Sequence, residues 1–141
     1  MRGFSASFIF IGLLALSGCG LLMPRPDPNQ AWVDLDPAHD SRLHAAEVDE
    51  RPWDDRRYFQ VPPGAHELGM RYQFEVSGDD IGLDSQPHQR DCRLRLRYDS
   101  FGAGQRYRLQ AGQVGFRAWV KLYDQDDRLL ARGQEMRCGG V

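Results

Sequence analysis

The sequence predicts an all-β domain, an antiparallel two-layer sandwich of about seven strands. Three observations predict it. Apolar and polar residues alternate with period two over long stretches, and clusters of proline, glycine and aspartate separate those stretches. Only residues 37–51 have a composition that admits a short helix or an irregular turn, and they lack a clean apolar stripe.

Ala31 to Asp36 and Arg56 to Val61 read as short strands. Pro62-Pro63-Gly64 then turns the chain into the clearest strand, in which His66, Leu68, Met70, Tyr72, Phe74 and Val76 alternate with Glu67, Arg71, Gln73 and Glu75. Cys92, Leu94, Leu96 and Tyr98 alternate with Arg93, Arg95, Arg97 and Asp99, which places Cys92 on the core face. Gln105 to Ala111 is a weaker strand. Phe116, Ala118, Val120 and Leu122 alternate with Trp119 and Tyr123 opposite them, and the turn Asp124-Gln125-Asp126-Asp127 leads to a last strand over Arg128 to Cys138.

A chain of 141 residues holds one core and excludes large multidomain enzymes. A formal net charge of −2 supplies no bulk attraction for nucleic acid, so no nucleic-acid partner is expected. The acidic cluster Asp49, Glu50, Asp54 and Asp55 fits no calcium-loop spacing and reads as a solvated loop.

The first segment is an address. Arg2 precedes the apolar run Phe8 to Leu16, which is too short for a permanent membrane span. Leu16-Ser17-Gly18-Cys19 resembles the lipobox of bacterial lipoproteins, in which the chain is cut before a diacylated cysteine. The resemblance implies a signal peptide over 1–18, a mature chain starting at lipid-bearing Cys19, a proline-rich tether over 19–30 and a β domain over 31–141. It also implies acyl chains such as palmitate on Cys19 and contact with the membrane through them. The residue after Gly20 is leucine; aspartate directly after the cysteine is also missing, and by the family's sorting rules this favours the outer membrane, with the domain facing the periplasm.

With Cys19 assigned to lipid, Cys92 and Cys138 are left as an even pair in an oxidising compartment, where a disulfide is the default. A reactive or metal-binding thiol is the alternative, but no ligand stands at zinc spacing near either cysteine. Neither a metal nor another cofactor is expected.

A second resemblance covers about twenty residues. Phe59-Gln60-Val61-Pro62-Pro63-Gly64-Ala65-His66-Glu67-Leu68 resembles the hairpin of PEGA-type small β-sandwich domains of bacterial envelope proteins, and Phe101 to Leu109 resembles the segment that follows it in uncharacterised envelope lipoproteins. The doubled proline and the insertion from Ser77 to Gln89 depart from the compact versions. These families imply a noncatalytic module.

Catalytic constellations are poor. Threonine is absent, and Ser41, Ser77, Ser85 and Ser100 do not sit in a nucleophile elbow. His66 lies on the apolar side of its strand and reads as an edge histidine, while His39, His44 and His88 fall in polar stretches. The suggestive polar feature is arginine: Lys121 is the sole lysine among 18 basic residues. Arg93, Arg95 and Arg97 project from one side of a strand. If Arg106 and Arg108 lie on a paired neighbour with the same facing, they form an array for carboxylates or phosphates, such as those of peptidoglycan or lipopolysaccharide. The plainer reading is a solvated face balanced by nearby acids. Trp53, Trp119 and Tyr123 are candidates for a patch that meets an envelope protein. The leading expectation is therefore a noncatalytic binding or structural lipoprotein; an inhibitor or accessory subunit comes second, and a small envelope hydrolase is a distant third.

Overall fold

The computed structural model describes residues 22–77 and 88–140. Within them the chain is all β, in nine strands: β1 (Ala31–Pro37), β2 (Arg42–Val48), β3 (Arg51–Pro52), β4 (Tyr58–Val61), β5 (Gly64–Val76), β6 (His88–Phe101), β7 (Arg106–Val114), β8 (Arg117–Tyr123) and β9 (Leu129–Gly140). The seven strands expected from alternation are all present. The stretch 37–51 is corrected: it holds no helix, and Arg42–Val48 is a full strand, with Leu43 and Ala45 buried and Arg42 and His44 on the other face. Asp49 and Glu50, with φ of 52° and 67°, form the two-residue turn that returns β2 to β3. Both positive angles are what a hairpin turn of this kind demands, and they account for half of the acidic cluster.

The strands form one sheet in the order β3-β2-β5-β6-β9-β8-β7-β1-β4. The expectation of a purely antiparallel arrangement is corrected at one ladder, because β1 and β7 run parallel from Trp32↔Arg106 to Pro37↔Ala111. Strand β9 connects the two halves. Its first residues pair with β8 (Val120↔Gly133), and its last pair with β6 (Cys92↔Cys138). At the crossing sits Gly133, where a Cβ would meet Val120 Cγ1 and would stand 2.7 Å from the Arg95 carbonyl oxygen. Only glycine lets β6, β8 and β9 approach this closely.

Both halves contribute to one core. Val33, Phe59, Val61, Leu109, Val120 and Leu122 from one half cluster with Leu68, Met70, Tyr72, Leu94 and Leu96 from the other, each of them at most 1% exposed. The sheet curls until its edges meet: the Trp53 indole N–H donates to the Tyr58 carbonyl at 2.7 Å, and its ring stands edge-on to Tyr58 at 5.9 Å. Cys92 and Cys138 are joined by a disulfide, with Cα atoms 4.0 Å apart and a sequence separation of 46. Among the described residues no helix is long and apolar enough to cross a membrane. Cys19 and the rest of the address lie outside the described residues. In the segment that precedes β1, the Asp27 N–H donates to Gln60 Oε1 at 3.0 Å and the Gln30 carbonyl accepts from Gly104 at 2.9 Å, so the end of the proline-rich stretch is fastened to the domain.

Candidate functional site

Strand order decides which arginines share a surface. Arg93, Arg95 and Arg97 lie on the outer face of β6, because Cys92, Leu94 and Leu96 face the core. Arg106 and Arg108 lie on β7, which is separated from β6 by β9 and β8. The expected five-arginine array is therefore not assembled. Arg106 instead pairs with Asp34 at 2.6 Å, and Arg108 with Asp36 and Asp127, each at 3.1 Å. Their guanidinium groups also lie over rings: Arg106 over Trp32 at 6.0 Å and Arg108 over Tyr123 at 5.0 Å. Burial tends to raise the Asp34 pKa, but hydrogen bonds from Arg106 and the Trp32 indole outweigh it and hold the carboxyl below its ordinary value. Arg106 and Arg108 are thus neutralised by acids of their own half.

The same face carries two of the expected aromatic residues. Trp119 and Tyr123 point outward from β8, opposite the buried Ala118, Val120 and Leu122, and Lys121 lies 4.9 Å over the Trp119 ring. Trp53 does not join them. It packs against the core between the two sheet edges, beside Tyr58 and Phe59.

On the β5-β6-β9 face the arrangement differs. The ladders place His44 of β2 opposite Arg71 of β5, Arg71 opposite Arg93 of β6, and Arg93 opposite Arg137 of β9. Four basic residues thus form one continuous rung across four strands. Like charges directly opposite each other on neighbouring strands destabilise a sheet. Arg71 is relieved by Asp91, which it meets in a two-pronged ion pair and which also accepts from Gln73 at 3.2 Å. Burial, then the charges of Arg56, Arg42 and Arg71, lower the His44 pKa, so this end of the rung stays neutral in a positive field. Arg93 and Arg137 have no acid within ion-pair distance among the described residues. Arg95 pairs with Glu67 at 3.0 Å and Arg97 with Asp99 at 3.3 Å.

Beside this rung the face is indented. Gly69 of β5 has no side chain to fill the space next to Arg95, its ladder partner, and a cleft of about 210 Å³ opens there between Arg71, Arg93, Arg95, Glu47 and Met136. Met136 stands at the rim because β9 bulges: Arg137 opposes Arg93 and Glu135 opposes Leu94, which leaves Met136 unpaired and 52% exposed. A second shallow cleft adjoins it, lined by Glu67, Arg95, Arg97, Arg132, Gln134 and Met136.

Sequence reasoning identified Arg93, Arg95 and Arg97 but missed His44, Arg71, Arg132 and Arg137. The signal for His44 was the Leu43/Ala45 alternation, and the signal for Arg71 was its place on the polar side of the clearest strand. Arg137 could be aligned with Arg93 only through the bond between Cys92 and Cys138, the adjacent pair in the same ladder.

Two other groupings are structural. His66 Nδ1 lies 2.6 Å from Asp49 Oδ2, and Asp49 Oδ1 accepts from the Glu67 N–H at 2.8 Å, which fastens the β2–β3 turn to β5 and lowers the Asp49 pKa. Cys92, Glu135 and Cys138 lie close together, but the two sulfurs are bonded to each other and not free to hold a metal. The chain matches no family model, no curated protein and no solved structure.

Proposed function

We propose that the chain is an outer-membrane lipoprotein, anchored by lipid on Cys19, whose β domain is a noncatalytic binding module in the periplasm. The observation that carries the binding role is the basic rung, in which Arg93 and Arg137 oppose each other with no acid within ion-pair distance of either among the described residues. A sheet surface that meets only water gains nothing from that arrangement, whereas an anionic ligand would offset its repulsion. The anchor is supported by Leu16-Ser17-Gly18-Cys19 behind a short apolar run, and the oxidising compartment by the Cys92–Cys138 disulfide. A role as inhibitor or accessory subunit is the second reading; the outward Trp119 and Tyr123 favour it.

Metabolic labelling with palmitate tests the anchor. The wild-type chain is expected to take up label and to sediment with outer membrane, and Cys19→Ser to lose both. Label persisting in Cys19→Ser overturns the assignment.

A further inference from the structure

We infer that the cleft at Gly69 binds a phosphate monoester, a conclusion that rests on the binding role proposed above and names its ligand class. The two adjoining clefts are lined by Arg71, Arg93, Arg95, Arg97 and Arg132 together with Glu47 and Glu67, and Arg137 stands beside Arg93 on the rung. Ion pairs account for Arg71 with Asp91, Arg95 with Glu67 and Arg97 with Asp99. Three guanidinium groups, those of Arg93, Arg132 and Arg137, remain without an acid within 4.0 Å among the described residues, against the one carboxylate of Glu47 in the same position. Summed over both clefts and the adjoining rung, the excess is two positive charges, Arg132 lining the second cleft and Arg137 standing beside the first. A phosphate monoester carries about −1.5 to −2 at neutral pH, whereas a carboxylate carries a single negative charge.

Geometry points the same way. The donors come from different strands, Arg71 from β5 and Arg93 and Arg95 from β6, and line a hollow rather than presenting a single planar fork, with Arg137 of β9 beside Arg93 at its margin. One guanidinium satisfies a carboxylate through two parallel N–H bonds; a tetrahedral oxyanion has three oxygens to satisfy and uses donors from several directions. The Arg95 guanidinium meets Glu67 through Nε and keeps further N–H groups for a ligand. Gly69 provides depth: a Cβ there would stand 3.1 Å from Glu47 Cβ and 3.3 Å from its Oε2, and would narrow the hollow. The cleft is open to solvent on the outer face, so the phosphate can be carried on a lipid headgroup or on a soluble molecule.

The experiment uses the full chain carrying Cys19→Ser, in uncharged detergent, so that its outcome is independent of lipidation. Inorganic phosphate is titrated and followed by calorimetry, with acetate as the carboxylate control. Saturable phosphate binding is expected, about tenfold weaker in Arg93→Gln. The thermal midpoint of Arg93→Gln is expected to be unchanged or raised, because the substitution relieves the repulsion with Arg137; this separates lost binding from lost folding. Cosedimentation with phosphatidylcholine vesicles, with and without phosphatidic acid, assigns the source: preferential sedimentation with phosphatidic acid that inorganic phosphate displaces indicates a lipid headgroup, and phosphate binding without it indicates a soluble ester. Absence of phosphate binding, acetate binding of equal strength, or equal phosphate affinity in Arg93→Gln overturns the inference while leaving the palmitate result on the anchor untouched.

Discussion

Removing the disulfide should expose how much of the domain's stability resides in closing one loop. Cys92 and Cys138 lie 46 residues apart, and the loop between them contains β7, β8 and most of β9. In the chain-entropy treatment, a closed loop of that length restricts the unfolded ensemble by about 4 kcal/mol at room temperature. That is a large part of the 5 to 15 kcal/mol by which a domain is typically stable. The ladder does not replace the bond, because Cys138 lies near the end of β9, where fraying is opposed by few further pairs. Glu135 adds to the effect: its carboxylate lies against both sulfurs and accepts from the Ala118 N–H at 3.3 Å, so reduction would set ionisable thiols beside a carboxylate. Urea unfolding of the Cys92→Ala/Cys138→Ala variant should therefore show a loss of about 4 kcal/mol, with reductant producing a similar loss in the wild-type chain and none in the variant. A loss below about 1 kcal/mol, or ready alkylation of Cys92 in the native oxidised protein, would refute the reasoning.

Further outcomes follow from the same structure. Gly133→Ala forces a Cβ against Val120 and the Arg95 carbonyl, neither of which can swing aside, and should cost about 3 kcal/mol by thermal or urea unfolding; a neutral result would mean that β9 does not cross between β6 and β8 as described. Leu96→Ala, at a position 1% exposed between the two halves, should cost about 2 to 5 kcal/mol. Asp34 has a folded-state pKa below its unfolded value, so its contribution is complete above about pH 4 and is lost as pH falls through the folded value. Asp34→Asn should therefore destabilise near neutral pH, by less than about 1 kcal/mol because Arg106 is half-exposed to screening solvent, and should match the wild-type chain in strong acid. A difference that persists in strong acid would assign the effect to packing.

The parts of the fold that were legible in the sequence are those encoded locally. Alternation over His66 to Val76 and Cys92 to Tyr98 marks strands because one face of each must be buried, and Pro62-Pro63-Gly64 marks the turn between β4 and β5. Strand β2 was hidden because its inward residues, Leu43 and Ala45, are few, and because the bulge after Ala45 breaks the period. Pairing partners were not legible. Nothing within Trp32 to Pro37 announces a parallel neighbour more than seventy residues away, and that ladder, together with the switch of β9 from β8 to β6, is what separates Arg106 and Arg108 from Arg93. For this reason the common facing of Arg93, Arg95 and Arg97 is legible on their one strand, whereas their neighbours across strands are not. Residue type identifies a guanidinium, but strand order decides whether its neighbour is Asp34 or another arginine.

The central claim is that the β5-β6-β9 face, and not the β1-β7-β8 face, receives an anionic ligand. Nitrogen-labelled NMR of the arginine Nε–H groups of the full chain, titrated with inorganic phosphate, tests it most directly. Arg93 and Arg137 should shift saturably with one common affinity while Arg106 and Arg108, already bound to Asp34, Asp36 and Asp127, stay in place. Equal shifts across both sets, or shifts confined to Arg106 and Arg108, would contradict it.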